Sequence, residues 1–532
     1  MAGAPPDRQA AERTIGLTGL TLVAVTSMIG SGWLFAPLLA AKAAGPAAML
    51  AWLVGGLAML VIALTFAEVS AILPVSGGIA RIPEATHGPL VGMVMGWTSW
   101  IGCAAVVSLE TLILLRYLAP LAPWLYRPGA SDGSATDFTL WGWLLALALL
   151  ALITLTILFG ARLFARVNSL ITALKLILPI VVAATLLSLH LDFGNFTDQG
   201  GFAPYGVQGL FAALSTGGVI FSFLGFRNVV DMAGDVRRPQ VTQPAALVLA
   251  LLIGLAIYGA LQFALIASLP DDALSEGWAK LHFGATLGPF AAIAALAGLL
   301  WLGIVIHAAA IVSPFGTGLG MMGAGTRLLE GMAAGRMLPL ALAFLTHRGI
   351  PPVALAVNLA LSLALLFLPF DTLVTLVTAA LALSLVTGPL ALLVFRRELP
   401  DLPRAFRLPL APAFAYLAVL TITLLLYWGG WDTMRYLLAL VALGALLYPV
   451  LRQAAGPASE WRRALWLLAW LGGTALLSWL GNFGGGIGWI PFGWDLAAAA
   501  ALAALCQALA LASRRRRAAI EAMLAHHGLG YP

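Results

Sequence analysis

Apolar runs of about 20 residues follow one another along almost the whole chain, separated by short polar segments. A helix of about 20 apolar residues is long enough to cross the ~30 Å hydrocarbon core of a bilayer. Backbone groups in lipid must hydrogen-bond within the protein, and runs of this length suit helices better than barrel strands. The pattern therefore predicts an all-α integral membrane protein.

The runs divide into about fourteen predicted spans. They lie near residues 17–44, 46–72, 89–119, 139–160, 166–189, 208–234, 243–268, 289–325, 351–369, 372–395, 409–429, 434–451, 464–482 and 490–512. The eighth span is long and contains Pro314 together with several glycines, so it can hold a break.

The composition excludes a soluble globular protein. The 532 residues are 61% hydrophobic and only 9% charged, and the mean hydropathy is +0.99. A soluble domain carries about 25% charged residues because water must cover its surface. Two cysteines, Cys103 and Cys506, both lie within apolar spans, so we predict no disulfide framework, metal site or cofactor.

The basic residues indicate the orientation of the chain in the membrane. With a cytoplasmic N-terminus, the outer loops hold only Arg127, Lys280 and Arg435, and nearly all other basic residues fall inside. Both termini are then cytoplasmic, which requires an even number of spans. The net charge of +6 reflects this rule and does not indicate nucleic-acid binding. The run Arg514–Arg517 could attract anionic lipid headgroups, although a stop signal for the last span explains it equally.

Two further features concern location. Residues 1–16 are polar and the first apolar run is a full span, so we predict no cleaved secretory signal. The chain is rich in Ala and Leu, and its basic residues are nearly all Arg, which hints at a GC-rich bacterial genome. We therefore expect a multi-pass protein of a bacterial plasma membrane, with the lipid bilayer as its partner.

Spans 1 and 6 are interrupted by small residues at similar positions, Gly30-Ser31-Gly32 in span 1 and the stretch from Ser215 to Arg227 in span 6, which contains Gly217, Gly218 and Gly225. Glycine inside a helix costs about 1 kcal/mol relative to alanine, so such clusters need a reason. One reason is close packing of helices. The other is a discontinuous helix whose unwound backbone binds a substrate, and transporters with inverted repeats place such helices first in each half. The positions of these two spans favour discontinuous helices.

Four stretches stand out over roughly residues 15–400. They are Ile29-Gly30-Ser31-Gly32 with Gly45-Pro46; Phe66-Ala67-Glu68-Val69 through Leu73-Pro74-Val75-Ser76-Gly77-Gly78; Phe223-Leu224-Gly225-Phe226 with Asp235-Val236-Arg237-Arg238-Pro239; and Gly325-Thr326-Arg327 with Gly335-Arg336-Met337-Leu338-Pro339. Together and in this order they resemble the amino acid–polyamine–organocation family of transporters. Within the family, the region Gly225-Phe226-Arg227 is most similar to that of bacterial aspartate–proton symporters.

The resemblance implies a leucine-transporter-like fold with two inverted repeats of five spans, residues 17–189 and 208–396. Spans 11–14, residues 408–512, would be peripheral, with cytoplasmic segments 1–16 and 513–532 at the ends. It also implies uptake or exchange of amino acids by alternating access.

An amino acid needs one site for its carboxylate and one for its ammonium. The segment Ile29 to Gly32 can supply backbone N–H donors at a half-helix N-terminus, where the helix dipole favours an anion. Ser31 could add its hydroxyl. In span 6, the break around Phe221, Ser222 and Leu224 can present carbonyls to the ammonium.

Aromatic residues of span 6 have two interpretations. Phe223 or Phe226, on either side of Gly225, could close over the substrate. An aromatic residue within a span is also commonly plain packing, and the sequence leaves both interpretations open.

Arg227 is the most informative single residue, because a charge within a membrane is costly and is usually functional or paired. Many family members carry an acidic or neutral residue near this position. A guanidinium beside the site would favour a substrate with a second carboxylate, which it can bind through two hydrogen bonds. Asp231 lies one helical turn further and could simply neutralise Arg227. Both hypotheses stay open.

Lys175 in span 5 is the second charged candidate. In sodium-independent members of the family, a lysine at the matching place occupies the position of a coupling sodium ion. The resemblance therefore implies a cation or proton-coupling role, and a desolvated lysine readily exchanges its proton. Snorkelling to the interface is the alternative.

Other intramembrane polar residues carry weaker hypotheses. Glu68, at the inner end of span 2, is a structural residue or part of an inner gate. Glu110 and Arg116 in span 3, toward the outer side, could pair with each other or with water of the loops. Glu110 or His307 could relay a proton, although packing explains His307 as well. Ser313 and Thr317 could line the site or bond to their own helix.

Together these features predict a secondary active transporter: a sodium-independent, proton-coupled symporter of aspartate or glutamate. A neutral amino-acid transporter or exchanger of the same family is the alternative, and a non-transporting amino-acid sensor is the alternative from another class. The sequence contains no enzyme motif in a suitable context and no pore signature, so we predict neither an enzyme nor a channel.

Overall fold

A computed structural model describes residues 15–526 except 76, 120, 128–134, 160, 190, 216–217, 232–235, 284–287, 403, 405 and 454–457. Nearly all of the predicted segment 1–16 and the end of segment 513–532 lie outside these residues. The described residues form helices and loops, with two isolated β-bridges and no β-strand. The predicted all-helical class is confirmed.

The first predicted repeat contains seven α-helices. They are α1 (Leu17–Met28), α2 (Gly32–Ala44), α3 (Ala48–Ile72), α4 (Gly78–His87), α5 (Pro89–Leu118), α6 (Leu140–Leu158) and α7 (Ala161–Leu189). The second contains nine, from α8 to α16. They are α8 (Gly206–Ser215), α9 (Val219–Phe223), α10 (Asn228–Asp231), α11 (Pro239–Ala267), α12 (Gly288–Leu296), α13 (Leu300–Ala334), α14 (Pro352–Leu365), α15 (Phe370–Ser384) and α16 (Thr387–Glu398).

Five helices follow in the remaining part. They are α17 (Ala411–Trp428), α18 (Gly430–Leu451), α19 (Leu465–Leu480), α20 (Trp494–Ala512) and the short tail helix α21 (Arg517–His526). By length and composition, 11 helices of the described chain can cross a membrane, or up to 12 if one bent pair is counted as a span. Each predicted span contains at least one helix, but the number fourteen and the cytoplasmic termini stay predictions.

Span 8 differs from the expectation. Helix α13 runs without a break through Pro314 to Ala334, and the interruption lies earlier, at residues 297–299. Gly298 has a φ of 72° there, a conformation that glycine adopts easily. The break therefore follows the left-handed glycine and not the proline, whose missing N–H a long helix within a packed bundle tolerates.

Helix α5 lies at the centre of the molecule and packs against α4, α13, α14, α15 and α18. Glycines allow its close contacts: a Cβ added at Gly102 would lie 2.5 Å from the side chain of Leu381, and one at Gly96 would lie 2.6 Å from Met332. Association of helices in lipid depends on such packing, because lipid offers no hydrophobic driving force between them. Helix α5 therefore fixes the positions of its neighbours.

Glu68 joins α3 to the end of α16. Its carboxylate is fully buried and accepts two hydrogen bonds from Arg396, at 3.0 and 2.7 Å, and one from the Leu408 N–H at 2.8 Å. Arg404 Nε lies 3.0 Å from the same carboxylate. This fully paired arrangement favours the structural role of Glu68 over a gate.

The arginine run that follows α20 binds the protein itself. Arg514 Nε donates to Glu398 at 2.5 Å, and the Arg517 N–H donates to the other oxygen of Glu398 at 2.9 Å. The Arg515 N–H donates to the carbonyl of Thr86 at 2.7 Å. The tail is thereby attached to α4 and α16.

His87, at the end of α4, makes a third contact with the C-terminal part. Its ring bonds to the Thr86 hydroxyl and to the Ala510 carbonyl and packs against Trp466. Desolvation lowers the pKa of His87 from 6.5 to about 4, the Ala510 bond raises it, and Arg463 and Arg515 lower it further. The ring is therefore neutral at pH 7.

We expect acidification to weaken this contact. A lowered folded pKa means that the unfolded state binds more protons between pH 6.5 and 4, so stability falls as the pH falls through this window. The loss between pH 7 and 5 is roughly 2 kcal/mol. Unfolding measured at several pH values should show a flatter profile for His87→Gln than for the wild type, whereas His282→Gln, at an exposed site, should keep the slope. Equal slopes for all three proteins would contradict the assignment.

Candidate functional site

Span 1 is broken as predicted. Helix α1 ends at Met28, the Ile29 N–H still donates to Val25 at 2.8 Å, and the Gly30 N–H turns back to the Met28 carbonyl at 3.0 Å. Helix α2 begins after Ser31. A Cβ at Gly30 would lie 2.5 Å from Glu110 Oε1 and 2.8 Å from Thr317 Oγ1, so a larger residue there would have to displace these two side chains.

Glu110 binds the broken end of span 1. The Ser31 N–H donates to both carboxylate oxygens, each at 3.3 Å, and the side chain is buried. The N-terminus of α2 favours a negative charge at this place. The predicted pairing of Glu110 with Arg116 does not form, because Arg116 instead lies over the ring of Phe370 at 5.8 Å.

Span 6 is also discontinuous, but its break lies earlier than predicted. Helices α8 and α9–α10 differ in direction by 43°, and Gly218 at the start of α9 has a φ of 77°. The segment expected to be unwound is helical to Phe223 and forms a 3₁₀ turn over Leu224–Arg227. The carbonyl of Phe221 therefore accepts the Leu224 N–H, and the Ser222 hydroxyl donates to Gly218 at 2.9 Å.

The two interrupted spans touch at Gly225. A Cβ at this residue would overlap the backbone of Ser27 and Met28. Such an approach needs a residue without a side chain, whatever its φ. This contact brings the 3₁₀ turn of span 6 beside the end of α1.

A narrow cavity lies between these broken helices, α5, α13 and α15. Its walls are Ser27, Met28, Gly30, Val106, Glu110, Phe221, Leu224, Gly225, Thr317, Met321 and Leu381. Of the predicted substrate-binding residues, Gly30, Phe221, Leu224 and Gly225 line it directly. Ile29, Ser31, Gly32, Ser222, Phe223, Phe226 and Arg227 are absent from its walls.

Lys175 connects α7 to the broken end of α1. Its ammonium donates to the Thr26 carbonyl at 2.8 Å and to Thr317 Oγ1 at 2.7 Å, and the side chain is completely buried. The hydroxyls of Thr26 and Thr172 hydrogen-bond beside it. Because both partners lie inside the protein, this geometry does not correspond to snorkelling.

Arg227 and Asp231 form the ion pair that their spacing predicts, with Arg227 Nη2 3.6 Å from Asp231 Oδ2. Arg227 also donates to the Ser99 hydroxyl, and Asp231 Oδ1 accepts the Ile79 N–H at 3.1 Å. Both charged side chains are buried. Within the described residues, Nε and Nη1 of Arg227 have no hydrogen-bond partner. The pair joins α10 to α4 and α5.

Aromatic rings form a wall behind the break. Trp52 stacks on Tyr258 with ring centres 4.6 Å apart, and Phe223 lies 5.8 Å from each of them. The Tyr258 hydroxyl donates to the Met28 carbonyl at 2.8 Å. Phe223 and Phe226 are buried, and Phe221 is the phenylalanine of this segment that reaches the cavity.

Sequence reasoning missed three residues of this region. The Thr26 carbonyl accepts from Lys175, the Tyr258 hydroxyl donates to the end of α1, and the Ser99 hydroxyl accepts from Arg227. Their signal was weak, since single hydroxyls in apolar spans usually bond to their own helix. Thr172 offered a better signal, because it precedes Lys175 by one turn.

The remaining candidates have local partners. His307 Nδ1 bonds to the Gly303 carbonyl at 2.8 Å, and Ser313 accepts the indole N–H of Trp33 at 3.3 Å. Cys103 and Cys506 are buried free thiols. No group of three His, Cys, Asp or Glu side chains in the described part of the chain could hold a metal ion.

Comparison with known proteins identifies the family. Residues 15–446 match the sequence profile described as amino acid permease. The chain belongs to the amino acid permease family. It is 32% identical over 493 residues, or 91% of its length, to two Bacillus subtilis proteins, the glutamate/serine transporter AimA and an aspartate-proton symporter. The matches cover 90% and 93% of these relatives. The branched-chain amino acid permease BcaP of the same organism is 27% identical over 451 residues.

The permease family gives the coarse function. Its members and the relatives above are transporters, so this chain is a membrane transporter of the amino acid permease family and not an enzyme. The matched region includes both broken spans, the cavity and Lys175.

We expect Gly225→Ala to destabilise the permease by about 3 kcal/mol or more, because the methyl group would overlap the backbone of Ser27 and Met28. Gly472→Ala is the matched control, since a Cβ at this helical position meets nothing within 4 Å. Thermal unfolding of the purified proteins measures both. Equal stability of the two variants would show that spans 1 and 6 are not in close contact.

Proposed function

We propose that this permease is a sodium-independent, proton-coupled symporter of an acidic amino acid that works by alternating access. The observation that carries the proposal is the geometry of Lys175. Its ammonium donates to the Thr26 carbonyl near the broken end of span 1 and to the Thr317 hydroxyl of span 8. Carbonyl and hydroxyl oxygens are also the ligands of a hard metal cation, and here they accept hydrogen bonds from the Lys175 ammonium instead. Transport then needs no sodium ion to join these spans.

A proton can replace sodium as the coupling ion. Thr317, which accepts from Lys175, lies against Gly30 together with the Glu110 carboxylate. An ammonium and a carboxylate, both buried and beside the same broken helix, can gain or lose a proton as the cavity opens to either side. The aspartate-proton symporter of B. subtilis supports the same ion by similarity.

The acidic substrate has two supports. The names of the two relatives at 32% identity include glutamate and aspartate. Two buried nitrogen atoms of Arg227, Nε and Nη1, also have no hydrogen-bond partner among the described residues, and a side-chain carboxylate would accept from them. The substrate α-carboxylate would bind the N-terminus of α2.

A neutral amino acid is the second candidate. The ion pair with Asp231 favours it, because Arg227 already has a countercharge and does not line the cavity. The name of one relative includes serine as well as glutamate. Under this candidate, Arg227 only joins α10 to its neighbours.

Several finer features belong to the same proposal. Breaks in spans 1 and 6 support the leucine-transporter-like arrangement of two inverted repeats, with spans 11–14 outside it. The bacterial relatives support a multi-pass protein of the plasma membrane.

Uptake into sodium-free proteoliposomes tests the substrate and the coupling. We expect labelled aspartate or glutamate to accumulate under an inward proton gradient and to be lost with a protonophore. The double substitution Arg227→Gln with Asp231→Asn removes both charges together, so that no unpaired charge is buried. It should lower uptake of the acidic substrate at least tenfold, since a charged hydrogen bond contributes about 1.5–3 kcal/mol.

Arg435→Gln, at an exposed arginine, is the control and should keep wild-type uptake. Accumulation of neutral amino acids with aspartate and glutamate ignored would contradict the acidic substrate. Full acidic uptake by a stable double variant would limit Arg227 to its structural role.

Lys175→Gln tests the cation. We expect it to reduce proton-driven uptake at least tenfold, because a buried charge-assisted bond to Thr26 is lost. Wild-type uptake should be the same with sodium or with choline as the main cation. Lys280→Gln, at an exposed lysine, serves as the control. A wild-type protein that transports only in sodium would exclude this role for Lys175.

A further inference from the structure

Glu110 occupies the place that a substrate carboxylate needs. The N-terminus of α2, a helix of 13 residues, is the donor group of the broken span, and its Ser31 N–H is bonded to Glu110. Both bonds are 3.3 Å long, which is beyond the usual length for N–H donors. The carboxylate is therefore held at Ser31 by two long hydrogen bonds instead of one of ordinary length.

Two carboxylates cannot share this place while both are ionised. Like charges at contact distance in a buried site force one of the two groups to take a proton. The titratable groups that face Glu110 are Lys175 on α7 and Tyr258 on α11. Lys175 already donates to Thr26 and Thr317, so a displaced Glu110 would have to compete for it.

Glu110 borders a second cavity. A second narrow cavity, between α5, α6 and α13, also has Glu110 in its wall, together with Thr111, Ile153 and Pro314. The side chain thus separates two cavities, one beside Gly30 and one beside Thr111. Because this second cavity is no larger than about one water molecule, the carboxyl group can enter it only when the surrounding helices move apart. The second cavity is mostly apolar, so the neutral acid fits it better than the carboxylate.

We propose that Glu110 is a built-in substitute for the substrate carboxylate, and that each substrate binds by displacing it in protonated form. The inference rests on the proposed function and gives its coupling step. A hydronium ion from the outer solution transfers one proton to a Glu110 oxygen, leaving water, and the neutral side chain leaves Ser31. When the substrate departs inside, Glu110 returns to Ser31 and releases the proton to cytoplasmic water. One carboxylate bound at α2 thus requires one proton carried.

Calorimetric titration of aspartate into the purified protein tests this displacement. Titrations in buffers of different ionisation enthalpy at one pH give the protons taken up per ligand. We expect about one for the wild type, with an affinity that falls about tenfold per pH unit where Glu110 is ionised. Glu110→Gln should take up none, bind independently of pH, and bind more tightly than the wild type at high pH.

Glu330→Gln is the matched control, because this glutamate pairs with Arg327 at the end of α13, away from the cavity. It should behave as the wild type. Proton uptake by Glu110→Gln equal to that of the wild type would overturn the proposal.

A measurement on the wild type alone covers the case in which Glu110→Gln does not fold. Difference infrared spectra on addition of aspartate should show a new protonated carboxyl band and the loss of a carboxylate band. No such change would overturn the displacement. If aspartate transport is driven by protons but this spectral change is absent, the proposed function still holds. If no acidic and no neutral amino acid binds, the proposed function itself is overturned.

Discussion

Every backbone N–H and C=O group inside a membrane must find a partner within the protein, and the break in span 1 is where this requirement is hardest to meet. Three helices meet it with side chains. Glu110 of α5 accepts the Ser31 N–H, Tyr258 of α11 donates to the Met28 carbonyl, and Lys175 of α7 donates to the Thr26 carbonyl. The unwound segment exists because these polar groups surround it. The cavity exists because the segment is unwound.

The same requirement relates stability to function in this permease. The groups that satisfy the break are a carboxylate, a phenol hydroxyl and an ammonium, and all three are buried. A ligand that binds the Ser31 N–H must therefore replace its bond to Glu110. Such an arrangement makes binding and rearrangement of the surrounding helices a single event.

The large-scale features could be predicted because they follow from composition and period. Apolar runs located the helices, and Gly30 and Gly225 marked the interrupted spans. What sequence could not supply was the partner of each polar group across helices. The sequence suggests a pair between Glu110 and Arg116, which lies about one and a half turns further along α5. In the structure, Glu110 instead accepts the N–H of Ser31, 79 residues away in the sequence. The break in span 6 was misplaced for a related reason: Gly218, not the later Gly225, adopts the left-handed conformation, and Gly225 serves close packing instead.

The attachment of the tail to Glu398 and Thr86 has a consequence for biosynthesis. Helix α4 leaves the ribosome long before the arginine run that binds it, so Thr86 and Glu398 must wait for residues 514–517. Until translation reaches them, the Glu398 carboxylate and the Thr86 carbonyl lack these partners. Closure of this surface is therefore a late event in synthesis, because it follows the production of every helix from α1 to α20.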